Sequence, residues 1–171
     1  STHNIMTVPK IDSESALKNL TENKDRELYR RYYADNEQYI EKQWEWFIWP
    51  RINAFDFSCT LDLACGFGRN AAKLVNVAKR LYLVDVNPEA IAFCQNRFSN
   101  ASIPVEYIVN SGTSLAPIGD NELTTIYSWD SMVHFDPEII AAYIKEFARV
   151  LRVGGRGFIH HSNYGAWGEP R

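Results

Sequence analysis

Apolar residues over 12–49 recur at three- and four-residue intervals among charges of both signs: Leu17 and Leu20, Leu28, Tyr32 and Tyr33, then Tyr39, Ile40, Trp44, Phe47 and Ile48. That spacing predicts two or three helices. Pro50 is expected to end the last of them, because proline has no N–H to continue the ladder and restricts the residue before it. After Asp56 the pattern changes to short apolar runs alternating with helical periodicity, the pattern of successive βαβ units on a parallel sheet. Strands are predicted over 59–64, 80–84, 105–109, 123–128 and 157–161, and helices over about 70–78, 88–99 and 137–151. Pro88 and Pro137 suit a first helical turn, with Asn87 and Asp136 as their caps.

The expected organisation is therefore an N-terminal helical cap over 1–54 followed by one α/β core over 55–171. The core should be a doubly wound, mostly parallel sheet with helices on both faces. The 171 residues and 46% hydrophobic content suffice for one core. A formal net charge of −3 gives no general attraction to a phosphate backbone, which weighs against a nucleic-acid partner. No run approaches the ~18 apolar residues of a membrane span, and residues 1–4 do not open a secretory signal, so a cytoplasmic protein is expected. Cys59, Cys65 and Cys94 are too irregularly spaced for a disulfide framework or a zinc site and read as small buried side chains.

The chemistry concentrates on residues 60–70. A buried strand runs into Gly66 and Gly68, which let backbone approach a ligand closely before a helix begins. Glycines in this spacing also satisfy the dinucleotide fingerprint, so a nicotinamide-dependent oxidoreductase is the rival reading. Asp62 separates the two. A carboxylate beside this turn repels a pyrophosphate but suits a ligand carrying an ammonium group and a sulfonium. A second apolar strand ends on Asp85, close to the ~20 residues beyond the glycines at which an acid reaches the ribose hydroxyls.

With Asp62, Ala64, Cys65, Gly66 and Gly68 filling an acid-x-Gly/Ala-Cys/Ser-Gly-x-Gly motif without a gap, the chain resembles the class I S-adenosylmethionine-dependent methyltransferases. The resemblance covers roughly 55–163. It implies a Rossmann-like core and S-adenosyl-L-methionine as cofactor, with Asp85 on the ribose and Val86 and Asn87 beside the adenine. It further implies that the loop after the third strand meets the adenine. There this chain has Ser111, Gly112 and Thr113 where relatives commonly place an acid, and that substitution keeps a non-catalytic, donor-binding member of the fold open as a second alternative. The fourth motif places Trp129 and Asp130 near the methionine part of the donor and His134 near the acceptor. The Leu-x-x-Gly-Gly turn at Leu151, Gly154 and Gly155 leads into the fifth strand, from which His160 and His161 emerge to opposite faces.

His134 and His160 are the candidate catalytic bases, since a neutral imidazole can take a proton from an acceptor. Two adjacent histidines on a strand cannot face one metal, so no metal is expected. The acceptor is expected to be a small molecule. In this superfamily the N-terminal helices often close over the donor, so Tyr29, Tyr32, Tyr33, Trp44, Trp46 and Trp49 are either cap residues or packing. The chain does not begin with methionine, as in a processed or trimmed protein. The resemblance implies a further helix and an antiparallel pair, strands six and seven, after strand five; only eight residues follow Asn163, so the core is expected to be truncated there.

Overall fold

In a computed structural model of the chain, the structure describes Glu37 and residues 39–161. A helical segment opens it: α1 (Ile40–Gln43), a π-helical stretch (Trp44–Ile48) and α2 (Trp49–Ile52). Pro50 does not end this segment as its sequence predicts. The amide of Trp49 donates five residues back to the carbonyl of Trp44, and Pro50 falls in the first turn of α2, where a missing N–H is tolerated. The Arg51 guanidinium also donates to the Phe47 carbonyl at 2.6 Å.

Five strands follow: β1 (Thr60–Leu63), β2 (Leu81–Asp85), β3 (Val105–Val109), β4 (Leu123–Ser128) and β5 (Leu151–Ile159). All are parallel, in the order β3-β2-β1-β4-β5. Every residue of β1, β2 and β4 is buried, as expected of strands covered on both faces, whereas β3 and β5 are the half-exposed edges. The chain winds outward from β1 to β3, then returns to place β4 on the other side of β1. This makes the gap between β1 and β4 the switch point at which such sheets bind ligands.

The connecting helices are α3 (Ala71–Leu74), α4 (Pro88–Arg97) and α5 (Pro137–Val150), with a 3-10 turn (Met132–His134) before α5. Strand alternation divides the core in two. Leu61, Leu63, Tyr82, Val84 and Ile126 pack with Tyr143 and Val150 of α5. On the opposite face Leu81, Leu83 and Tyr127 pack with α3, α4, Ile48 and Ile52. Asn87 caps α4 as its sequence predicts, accepting from the Glu89 amide at 2.9 Å. Asp136 precedes α5 in an extended conformation but its side chain makes no cap bond, so only its carbonyl serves the helix.

The fifth strand starts earlier than the glycines suggest. Leu151 already pairs with Leu123, and the register then slips so that Arg156 stands opposite Thr125. The Gly154–Gly155 turn is thus an excursion inside β5, with Gly154 at φ +81°. The strand ends at Ile159, leaving His160 and His161 just beyond it.

Candidate ligand site at the carboxyl edge

The site begins with a tether. Asp85, the last residue of β2, accepts the Gly66 amide at 2.8 Å through Oδ2 and the Asn87 amide at 2.9 Å through Oδ1. One carboxylate therefore fixes both the glycine turn after β1 and the start of α4. The turn is also held from the other side, where Arg97 of α4 donates to the Phe67 carbonyl at 3.0 Å and pairs with Glu37. Cys94 donates to the Gly66 carbonyl at 3.3 Å.

Backbone conformation at this edge is unusual in the places the chemistry needs. Gly66 and Gly68 take φ +53° and +82°, and the non-glycine residues Ala64 and Asp130, directly beyond β1 and just past β4, take +56° and +61°. Left-handed backbone at alanine costs energy that its surroundings must overcome. The Ser131 hydroxyl does part of this, donating to the Ala64 carbonyl at 3.2 Å, while Ser128 donates to the Leu63 carbonyl at 3.0 Å.

Asp62 lies beneath the turn, 2% exposed, with Oδ2 buried and without a hydrogen-bond partner. Desolvation pushes its pKa well above the usual carboxylate range, the charge of Asp85 pushes further, and Arg69 opposes both. Asp85 is also raised by burial, though the amides of Asn87, Gly66 and Val86 counter this by hydrogen-bonding its charged form. Two buried acids thus share a neighbourhood in which, among the described residues, the Arg69 guanidinium acts on Asp62. A cationic group placed there gains from both carboxylates, whereas a phosphate is repelled.

The remaining sequence candidates follow the ends of β2, β3 and β4. Val86 and Asn87 follow Asp85 and are half-buried; Ser111 and Thr113 are exposed on the loop after β3. Gly112 between them has φ +92°, and a Cβ there would meet Val86 Cγ1 at 3.4 Å, so this loop lies against the end of β2. Cys65 is buried, as are Cys59 and Cys94, and all three are free thiols. His134 is exposed in the 3-10 turn.

Several contacts had no signal in the sequence. Tyr127 donates to Asn70 Oδ1 at 2.8 Å, tying β4 to the residue before α3. Arg69 Nη2 lies 3.7 Å from Asp130 Oδ2. Tyr127, Phe158, Trp129 and His160 form a row of stacked rings, with centroids 5.8, 5.8 and 4.4 Å apart. Trp44 stacks on Trp49 and leans on Tyr127, whereas Trp46 is 72% exposed; Tyr29, Tyr32 and Tyr33 lie outside the described residues. Among the described residues no cluster of three or more His, Cys, Asp or Glu could hold a metal ion, and no helix is long and apolar enough to cross a membrane.

Comparison with known proteins bears on the fold and the family. The family model of the methyltransferase domain matches residues 60–155, more than half of the chain. No curated protein matches. Among solved structures, an S-adenosylmethionine-dependent methyltransferase from Clostridium acetobutylicum superposes with TM-score 0.64 at 23% identity, over 77% of this chain and 56% of that one. A complex of DhpI with SAH gives TM-score 0.70 at 18% identity, over 90% and 71%. The PH0226 protein from Pyrococcus horikoshii gives 0.59 at 21%, over 85% and 62%. At these identities the likeness establishes the fold, and the chain spans about half to two thirds of the length of several structures it matches.

Proposed function

The chain belongs to the methyltransferase-domain family, and from that premise we propose that it binds S-adenosylmethionine at the carboxyl edge of β1, β2 and β4 and transfers its methyl group to a small-molecule acceptor. The observation that carries this reading is the pair Asp62 and Asp85. Asp62 has a buried oxygen without a protein partner, which is the environment a ligand ammonium satisfies, and Asp85 stands at the end of the neighbouring strand with its carboxylate already oriented by two amides. The donor's charged groups suit this set, and a dinucleotide's pyrophosphate does not.

Residue roles follow from position. Asp85 accepts from the ribose hydroxyls, and the backbone of Ala64, Cys65, Gly66 and Gly68 admits the ligand at close range. Val86, Asn87, Ser111, Gly112 and Thr113 border the adenine, and the exposed Ser111 and Thr113 hydroxyls replace the acid common in relatives. Trp129 and Asp130 border the methionine part. His134 and His160 are the candidate proton acceptors. When bound, S-adenosylmethionine supplies a methyl group already activated on a sulfonium. The protein's task is then alignment of the acceptor and exclusion of water, for which the buried carboxyl edge and the aromatic row are suited.

Titration calorimetry tests the reading. S-adenosylmethionine and S-adenosylhomocysteine should bind with affinities in the micromolar range and NAD should not; binding of NAD alone would overturn it.

A further inference from the structure

The aromatic row ends in a pair of side chains whose geometry points to the acceptor. His160 is the last ring of the row, with the Trp129 ring 4.4 Å from it and tilted by 24°, so the plane of the imidazole is set by stacking. Its Nδ1 is buried without a hydrogen-bond partner and faces Asp130 Oδ1 at 3.9 Å. The side chain is nevertheless 39% exposed. Asp130 is placed there by its left-handed backbone, and its other oxygen faces Arg69 at 3.7 Å.

A neutral imidazole carries one N–H and one bare nitrogen, and a carboxylate facing one nitrogen selects the tautomer that donates to it. At 3.9 Å the pair is too far apart for a hydrogen bond, and catalytic hydrogen bonds are often long before a ligand closes a site. We infer that Asp130 is a positioning residue that holds His160 as the Nδ1–H tautomer, leaving Nε2 free at the carboxyl edge to take the proton of a hydroxyl-bearing small-molecule acceptor. The inference rests on the donor site proposed above. A neutral amine or a thioether attacks with a lone pair it already has, whereas a hydroxyl is a weak nucleophile until its proton leaves, so a preset proton acceptor suits an oxygen nucleophile. In the step, the O–H proton moves to Nε2 while the oxygen's electron pair forms the bond to the methyl carbon. The sulfur–methyl electron pair stays on sulfur, and the resulting imidazolium is balanced by Asp130.

The chain has four histidines, which makes the tautomer directly measurable. A long-range ¹H–¹⁵N spectrum of the ¹⁵N-labelled protein saturated with S-adenosylhomocysteine, recorded at about pH 8 where an ordinary imidazole is neutral, should show one histidine as Nδ1–H with a bare Nε2. Its signals should vanish in His160→Gln. In Asp130→Ala the Nδ1–H signature should be lost. A wild-type His160 found as Nε2–H, or an Nδ1–H signature that persists in Asp130→Ala, overturns the inference, and the wild-type result stands whether or not the variant folds. Absence of S-adenosylhomocysteine binding in the wild type overturns the donor site instead, and the tautomer still reads the pair.

Discussion

The amide of Gly66 donates to Oδ2 of Asp85 at 2.8 Å, joining the turn after β1 to the end of β2 across 19 residues of sequence. The proposed ribose contact falls on the same carboxylate, which in that reading shapes the turn and holds the ligand at once. Replacing it removes a charged hydrogen bond, worth ~1.5–3 kcal/mol. Asp85→Ala should therefore weaken S-adenosylhomocysteine binding by about 10- to 100-fold in calorimetry. An unchanged affinity would remove Asp85 from the site.

Two of the positive-φ glycines at the carboxyl edge, Gly68 and Gly112, should differ in how they tolerate a methyl group. A Cβ at Gly68 would lie 2.7 Å from Phe98 Cε2 and 3.1 Å from Cys94 Sγ, in addition to the strain of φ +82°. At Gly112 the nearest atom is Val86 Cγ1 at 3.4 Å, so only the strain remains. Gly112→Ala should cost ~1–2 kcal/mol from its left-handed backbone, and Gly68→Ala a further ~1–3 kcal/mol from overpacking. Urea unfolding of both variants checks the order, and an equal or reversed cost would contradict the packing.

Much of this fold was legible in the sequence because its signals are local. The apolar runs 105–109 and 123–128 coincide with β3 and β4, and Asn87-Pro88 both caps and starts α4. What escaped depends on contacts distant in sequence or on backbone choices that several residues make together. Pro50 was expected to stop a helix, but the π-helical stretch before it places it in a first turn. The glycines at 154 and 155 were read as the boundary of a strand, whereas Leu151 already pairs with Leu123 and the glycines bulge out of β5. Because that bulge sets the register of β5 on β4, it also brings His160 beside Trp129 and Asp130, a juxtaposition no spacing in the chain announces. For the site, the acids and glycines were readable as residue types; the Gly66–Asp85 tether and the Asp130–His160 pair needed the sheet.

Glu146 on α5 gives a pH-dependent prediction away from the site. It is hydrogen-bonded by Arg149 and by the Leu115 amide, and its pKa is lowered to about 2, chiefly by Arg149. A folded pKa below the unfolded one means that the carboxylate adds stability above the ordinary glutamate range, and that this contribution is lost as pH falls toward about 2. Glu146→Gln should be destabilised by ~1–3 kcal/mol at neutral pH. Denaturant midpoints of wild type and variant should then converge as pH falls through this window. A gap independent of pH would mean that packing, not charge, holds α5 against the loop at Leu115.

Asp62 should show the opposite dependence. Its folded pKa is raised well above the ordinary value, first by burial and then by Asp85, so folding favours the protonated acid. Its penalty is absent below the unfolded aspartate value of ~3.9 and grows as pH rises from there through the folded pKa. Asp62→Asn keeps the shape and removes the charge. The variant should be more stable than wild type at neutral pH, and the advantage should shrink toward zero below about pH 4. The same change deprives a ligand ammonium of its carboxylate, so S-adenosylhomocysteine affinity should fall while stability rises, a trade expected where a strained group serves binding. Urea unfolding across pH together with calorimetry separates the two effects. Lower stability at neutral pH would mean that Asp62 is held as a paired anion in the ligand-free protein, and unchanged affinity would mean that the ammonium binds elsewhere.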